Sequence, residues 1–187
     1  IPETLDFALP AGLWAQRQPL LRYSRAMADR WSMEVSTETP ETVIYTGANV
    51  QTRWPDFSAA GTYRRGGDYI KHLRLAGLVR DLKAESATSG DTDSALGWSI
   101  SGSAKVHFPF VGERDNLKLI VHLGDGYGTQ LKGGPTEGIF DDTATSLETI
   151  GVLATYGSLQ HFWTEKTRSN FAFGHVEADN PDIATDG

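Results

Sequence analysis

The strongest constraint on how this chain can fold is a strict two-residue alternation over 96–108. Trp98, Ile100, Gly102, Ala104, Val106 and Phe108 fall on one side of an extended chain. Ser99, Ser101, Ser103, Lys105 and His107 fall on the other. Successive side chains of a strand point to opposite faces, so this run predicts a strand with one apolar and one polar face. A second run follows at 115–124, where Leu117, Leu119, Val121 and Leu123 oppose Asn116, Lys118 and His122. The segment from Pro109 to Arg114 joins the two as a short turn. A face this polar must meet water, and its reverse must meet something apolar.

The same period marks further strands at 13–26, 30–38, 55–65, 68–83, 147–156, 159–164 and 167–177. Several exceed the ordinary strand of about five or six residues. A strand crossing a bilayer at a tilt needs about 9–11 residues, which the longest runs supply. Short connections at Gly66-Gly67, Pro109–Arg114 and Glu165–Thr167 alternate with long polar ones at 39–54, 84–95 and 125–146. Membrane barrels carry short turns at one end and longer loops at the other. The fold expected is therefore all-β: an antiparallel transmembrane β-barrel with about nine strands, forming one domain over 1–187.

Composition removes several alternatives. There is no cysteine, hence no disulfide framework and no thiolate metal site. The net charge of −7 disfavours a nucleic-acid partner. No apolar run approaches the ~20 residues of a membrane helix, which says nothing against a barrel. Charge is also unevenly placed. The strand candidates hold 13 Lys/Arg and 8 Asp/Glu, leaving 4 and 16 for the connections. Basic strands within acidic loops suit a channel wall that attracts anions. Trp14, Trp31, Trp98 and Trp163 lie near predicted strand ends and Trp54 just before one, as in an interfacial aromatic girdle.

Several segments resemble the DcaP-like outer-membrane porins. Gly12-Leu13-Trp14-Ala15-Gln16-Arg17-Gln18-Pro19, with Arg22-Tyr23 after it, is similar to their opening barrel strand. Trp54-Pro55-Asp56-Phe57 leading to Tyr63 resembles their Pro-Asp motif, and His72-Leu73-Arg74-Leu75-Ala76-Gly77-Leu78-Val79-Arg80 the strand after it. Gly124-Asp125-Gly126-Tyr127-Gly128, His161-Phe162-Trp163 and Arg168-Ser169-Asn170 continue the likeness. It covers much of 11–177. The resemblance implies a homotrimeric porin in the bacterial outer membrane. Its partners would be small anions such as dicarboxylates, the lipid bilayer and lipopolysaccharide. Two departures stand out. Members of the family are longer and begin with a helical extension, and this chain ends on Ala184-Thr185-Asp186-Gly187 without an aromatic closing strand. Porins have about 16–18 strands, so part of a barrel is expected here.

Arg22, Arg64, His72, Arg74, Arg80, Lys105, Lys118 and Arg168 are the expected lumen-facing, solute-binding side chains. An arginine offers a carboxylate two parallel hydrogen bonds and keeps its charge at working pH. A strict two-residue turn at Gly66-Gly67 would instead aim Arg74 and Arg80 at lipid, at about 2–4 kcal/mol each near the midplane. A longer turn or a bulge is therefore expected, placing Arg64, His72 and Arg74 together. Pro19 removes a ladder donor and makes the first strand the least regular.

No catalytic, metal or cofactor residue is expected. Gly124–Gly128 lacks the Lys-Ser/Thr ending and following helix of a phosphate loop. Asp141, Asp142, Asp179, Asp182 and Asp186 do not have the spacing of a calcium loop. The five histidines, His72, His107, His122, His161 and His175, have no metal-ligand spacing. No Gly-x-Ser-x-Gly elbow occurs, so an enzyme is not expected. The competing readings are a soluble β-sandwich binding carbohydrate through Trp and Tyr, and a β-rich glycoside hydrolase, which needs two facing acids.

Overall fold

The computed structural model describes residues 19–45, 48–51, 53–64, 69–108 and 111–181. Twelve strands lie among them: β1 (Leu20–Ala28), β2 (Trp31–Glu38), β3 (Ile44–Tyr45), β4 (Asn49–Gln51), β5 (Asp56–Arg64), β6 (Ile70–Glu85), β7 (Thr92–His107), β8 (Asn116–Asp125), β9 (Gly138–Asp141), β10 (Ser146–Thr149), β11 (Gly151–Phe162) and β12 (Arg168–Asp179). Eight of them form one antiparallel sheet in the order β1-β2-β5-β6-β7-β8-β11-β12, with β4 paired to the far end of β6. A second, small sheet of β10-β9-β3 is built from the connections. Trp14 and the expected strand residues 13–18, Gly66-Gly67 and Asp182 onward lie outside the described residues.

The connections after β1, β5, β7 and β11 fall at one end of the sheet and those after β2, β6 and β8 at the other, where the two longest, 39–55 and 126–150, lie. Expected loop 84–95 is mostly strand: β6 and β7 stay paired to Glu85 and Thr92. Their turn is closed by Ser86 Oγ, which accepts from the Thr88 and Ser89 N–H groups, and by Gly90 at φ +77°. Expected strands 147–156 and 159–164 are redivided into β10 and a continuous β11. Gly157 and Ser158 looked like a break, but β8 and β12 pair with them on both sides.

Register decides the faces. Arg64 pairs with His72 and Thr62 with Arg74, while a bulge between Ile70 and His72 adjusts the pairing to β7. The longer connection expected there is thus present, and Arg64, His72 and Arg74 share a face.

The opposite, outward face is apolar. Between the rows of Leu73 and Gly77, the outward positions of β2, β5, β6, β7, β8 and β11 carry no charge. Leu75, Ile100, Val121, Leu123 and Tyr63's neighbour Trp31 are among them, the Trp31 and Tyr63 rings lying 4.9 Å apart near the short-turn end. Outward charges within these rows sit on the edge strands, Arg25 on β1 and Glu177 on β12. The row of Ile70, Val106, Leu117 and Leu159 continues the band, and the row of Val79, which holds Asp125 and Asp179, ends it. From Ile70 to Gly77 is about eight residues, which at ~3.3 Å per residue and a barrel tilt is a band about 20 Å tall.

The core lies on the inward face, near the loop end. Residues 126–150 fold inward onto the wall: Tyr127, Leu131, Ile139 and Ile150 pack on Leu78, Val152 and Ala154. Phe140, Leu147 and Ile44 pack on Leu82 and Ala84. Six buried apolar side chains from this connection, at roughly 2 kcal/mol each, give a gross gain on the order of 10 kcal/mol against the entropy of ordering it. The Tyr127 hydroxyl is spent inside, donating to the Val152 carbonyl at 3.2 Å.

Candidate functional site

The inward face carries the polar half of every alternating run. Arg22, Arg64, His72, Arg74, Arg80, Lys105, Lys118 and Arg168 all point to it, as the registers of β1, β5, β6, β7, β8 and β12 require. Their surroundings divide them into four groups.

The first is a row across four neighbouring strands near the short-turn end. Arg64 is paired with His72, His72 with Lys105, and Lys105 with Lys118. No carboxylate lies within ion-pair distance of Arg64, Lys105 or Lys118 among the described residues. Like charges directly opposite on adjacent strands oppose folding, by up to about 1 kcal/mol per pair. A structure that keeps such a row has gained nothing in stability from it.

The second is a cavity of about 380 Å³ bounded by side chains of β1, β2, β5, β6, β7 and β8. Arg22 and Arg74 line it. Arg74 is half engaged: Nη2 meets Glu34 Oε2 at 2.8 Å and Nη1 donates to Thr62 Oγ1 at 3.1 Å. A partly exposed pair of this kind is worth about 0–1 kcal/mol. Ser36, Ser58, Ser99, Ser101 and Ser103 add hydroxyls, Glu38 an acid, and His122 a ring.

The third is Arg80, which reaches no open space. Its guanidinium is fully buried between Asp56 Oδ2 at 3.2 Å and Glu137 Oε1 at 3.0 Å. It also donates to the Glu41 carbonyl and the Thr42 hydroxyl. Gly97 opposite makes the room, for a Cβ there would lie 2.7 Å from Arg80 Cγ. Glu137 further accepts from the Thr129 hydroxyl and the Val43 N–H. Burial pushes the Glu137 carboxyl above the ordinary range, against the pull of those donors and of Arg80. Arg80 therefore ties the inward loop and the segment 41–43 to the wall.

The fourth, Arg168, stands apart at the short-turn end. It is paired with Phe162, its guanidinium 5.9 Å from that ring, while Arg114 covers the ring at 4.2 Å. Beside it Asp115 holds the turns together, with His161 Nδ1 at 2.5 Å and the Phe162 N–H donating to it at 2.9 Å. Burial alone would raise the Asp115 carboxyl, but those hydrogen bonds and the charges of His161 and His107 hold it below the usual range.

Glu34 and Glu38 were absent from the expected site, although Ser32, Glu34, Ser36 and Glu38 alternate with Trp31, Met33 and Val35 as plainly as β7 does. Glu137 and Thr129 carry no such signal, since they lie in an irregular connection. No group of three or more His, Cys, Asp or Glu suited to a metal ion occurs among the described residues.

The crystal structure of the outer membrane channel DcaP of Acinetobacter baumannii superposes on this chain with a TM-score of 0.83, covering 95% of it. The fold is that of a porin barrel wall. The two sequences are 21% identical, and the chain spans about half the length of DcaP, 49%. No protein-family model matches, and no curated relative does. Among the described residues the eight-strand antiparallel sheet is open, with β1 and β12 at its edges, as expected of part of such a barrel.

Proposed function

We propose that this chain forms part of the wall of a bacterial outer-membrane channel through which small anions, dicarboxylates among them, diffuse passively. The carrying observation is the row Arg64–His72–Lys105–Lys118, basic side chains on four adjacent strands. Such a row supplies a weak, multidentate contact for a carboxylate, and a transported solute must be held weakly enough to leave. The likeness to a solved channel supports the reading. So do the apolar outward band and the aromatic side chains near its rim, features of a lipid-facing barrel. Residues 126–150 are the constriction, since they occupy the inward face. Nothing in this reading calls for chemistry on the solute. Homotrimeric assembly belongs to the same reading and is checked by native mass in detergent.

Reversal potentials of the protein in planar bilayers under a salt gradient test the selectivity. Anion preference is expected, and it should fall on charge removal in Lys105→Gln with Lys118→Gln. A cation-preferring channel, or one whose preference those substitutions leave unchanged, would exclude the proposal. Arg80→Gln is the wrong test of selectivity, because that side chain is walled in.

A further inference from the structure

The cavity on the inward face is built differently from the basic row beside it. Its arginines, Arg22 and Arg74, are matched by two glutamates, Glu34 and Glu38. Much of its remaining polar surface is hydroxyl, from Ser36, Ser58, Ser99, Ser101 and Ser103. Its floor is small, because Ala60 and Ala76 lie between Glu34 on β2 and Ser101 on β7 in one cross-strand row. Charge therefore gives this cavity little preference, and hydrogen bonding must supply it.

Some of its groups are already engaged. Ser36 donates to Glu38 Oε1 at 3.0 Å and meets the Ser58 hydroxyl at 2.6 Å. Arg74 is held by Glu34 Oε2 and Thr62. On β7 the case differs. Ser99, Ser101 and Ser103 fill three successive inward positions, and no hydrogen bond engages their hydroxyls among the described residues. All three are open to the cavity. Arg22 on β1 has no carboxylate within ion-pair distance among the described residues. Glu34 keeps Oε1, since Oε2 takes the guanidinium.

The open groups thus stand on two sides: a cation and an acceptor from β1 and β2, and a column of hydroxyls from β7. Three strand spacings, about 14 Å, separate β2 from β7, and the reach of Arg22, Arg74 and Glu34 shortens that gap to the span of a chain of about six carbons. Hydroxyls at successive inward positions of β7 are about 7 Å apart, so two of them can serve one such chain. An alkyl chain would leave them and Glu34 Oε1 without partners, and a site built for hydroxyls discriminates against a solute that lacks them. A second carboxylate would be brought against Glu34 and Glu38. We infer that this cavity selects polyhydroxylated monocarboxylates, the class of the sugar acids, with the carboxylate on Arg22 and the hydroxyls on Glu34 and the β7 serines. That they are solutes in transit rests on the channel reading above; that they bind does not.

Titration followed by ligand NMR, on the whole protein in detergent micelles, measures weak affinities without conduction. Four probes share a six-carbon chain. Gluconate has charge and hydroxyls, hexanoate the charge alone, sorbitol the hydroxyls alone, and 6-aminohexanoate an ammonium that would sit on Glu34. Gluconate should bind about three- to tenfold more tightly than each of the others, the range that one net hydrogen bond supplies. Ser101→Ala with Ser103→Ala should erase the preference over hexanoate and keep the one over sorbitol. Arg22→Gln should do the reverse. These side chains open onto the cavity, so the variants keep the fold, which an unheated gel checks. Gluconate binding that is absent or no tighter than that of hexanoate overturns the inference. So does tightest binding of 6-aminohexanoate, or a serine variant that retains the full preference over hexanoate. Reversal potentials test the channel reading separately. Anion-selective conduction without a gluconate preference removes this site and leaves the channel. A gluconate preference without anion selectivity leaves the site and removes the selective channel.

Discussion

Two glycines on the same strand carry opposite consequences. A Cβ at Gly97 would lie 2.7 Å from Arg80 Cγ and 2.8 Å from the Gly126 carbonyl. At Gly102 it would meet nothing within 4 Å. Gly97→Ala should therefore cost about 1–3 kcal/mol through forced displacement of the buried guanidinium, and Gly102→Ala close to nothing. Denaturant unfolding in detergent micelles distinguishes them. Arg80→Met, which strands Asp56 and Glu137 without their cation, should cost about 3–5 kcal/mol in the same measurement. Asp115 gives a pH prediction at the other end. Its carboxyl is held below the usual value in the fold, so its contribution is complete above about pH 4 and is lost as pH falls through the folded value. Exchange at 111–115 should rise on acidification, and Asp115→Asn should remove that dependence while leaving the turn loosened at neutral pH.

At the scale of a strand, the outward face sets the rule. Leu75 lies midway along the apolar rows, with Gly61 and Gly102 on either side. Leu75→Arg should cost about 2–4 kcal/mol if those rows meet hydrocarbon. Ser101→Arg, one strand away and inward, should be tolerated. Equal loss from both, scored as the folded fraction on an unheated gel, would contradict the assignment of faces. Much of this was legible in the sequence. β7 and β8 follow the alternation of 96–108 and 115–124 residue for residue, because each has one wet and one dry face and no competing signal. The β5–β6 register was legible too, but through cost: the tight turn at Gly66-Gly67 would have aimed two arginines outward. What was not legible depends on long-range contact. β9 and β10 are short and form because Phe140 and Leu147 find Leu82 and Ala84. Gly157-Ser158 has the composition of a turn, yet pairing from both sides overrides it. Arg80 looks the same as Arg74 in a strand pattern, and only the position of Glu137, more than fifty residues later, makes one buried and the other accessible.

Across the whole molecule, charge and shape are separated by end as well as by face. The uncompensated basic row lies toward the short turns. The connections at the other end carry acids, among them Glu41, Asp91, Asp141, Asp142 and Glu148. Shared hydrogen bonds hold some of these in place, as where Ser86 and Thr88 both donate to Asp142. If this wall lines an anion channel, as proposed, an anion passing it meets unequal fields at the two mouths. Current through the protein should then be asymmetric in voltage at low salt, and the asymmetry should fade as salt shortens the screening length from about 30 Å at 0.01 M to about 3 Å at 1 M. Current–voltage curves at the two salt concentrations check this directly.

The open sheet has a further consequence, one of parity. β1 and β12 are separated by an even count of antiparallel pairings plus one, so they run in opposite senses. In hydrocarbon an unpaired edge is not sustainable, since each bare backbone group costs several kcal/mol. Whatever seals these two edges into an antiparallel cylinder must therefore bring an even number of strands. An odd number would leave one parallel seam, with slanted bonds and a different shear. The strand count of any closed antiparallel barrel that contains this wall is thereby restricted to even totals.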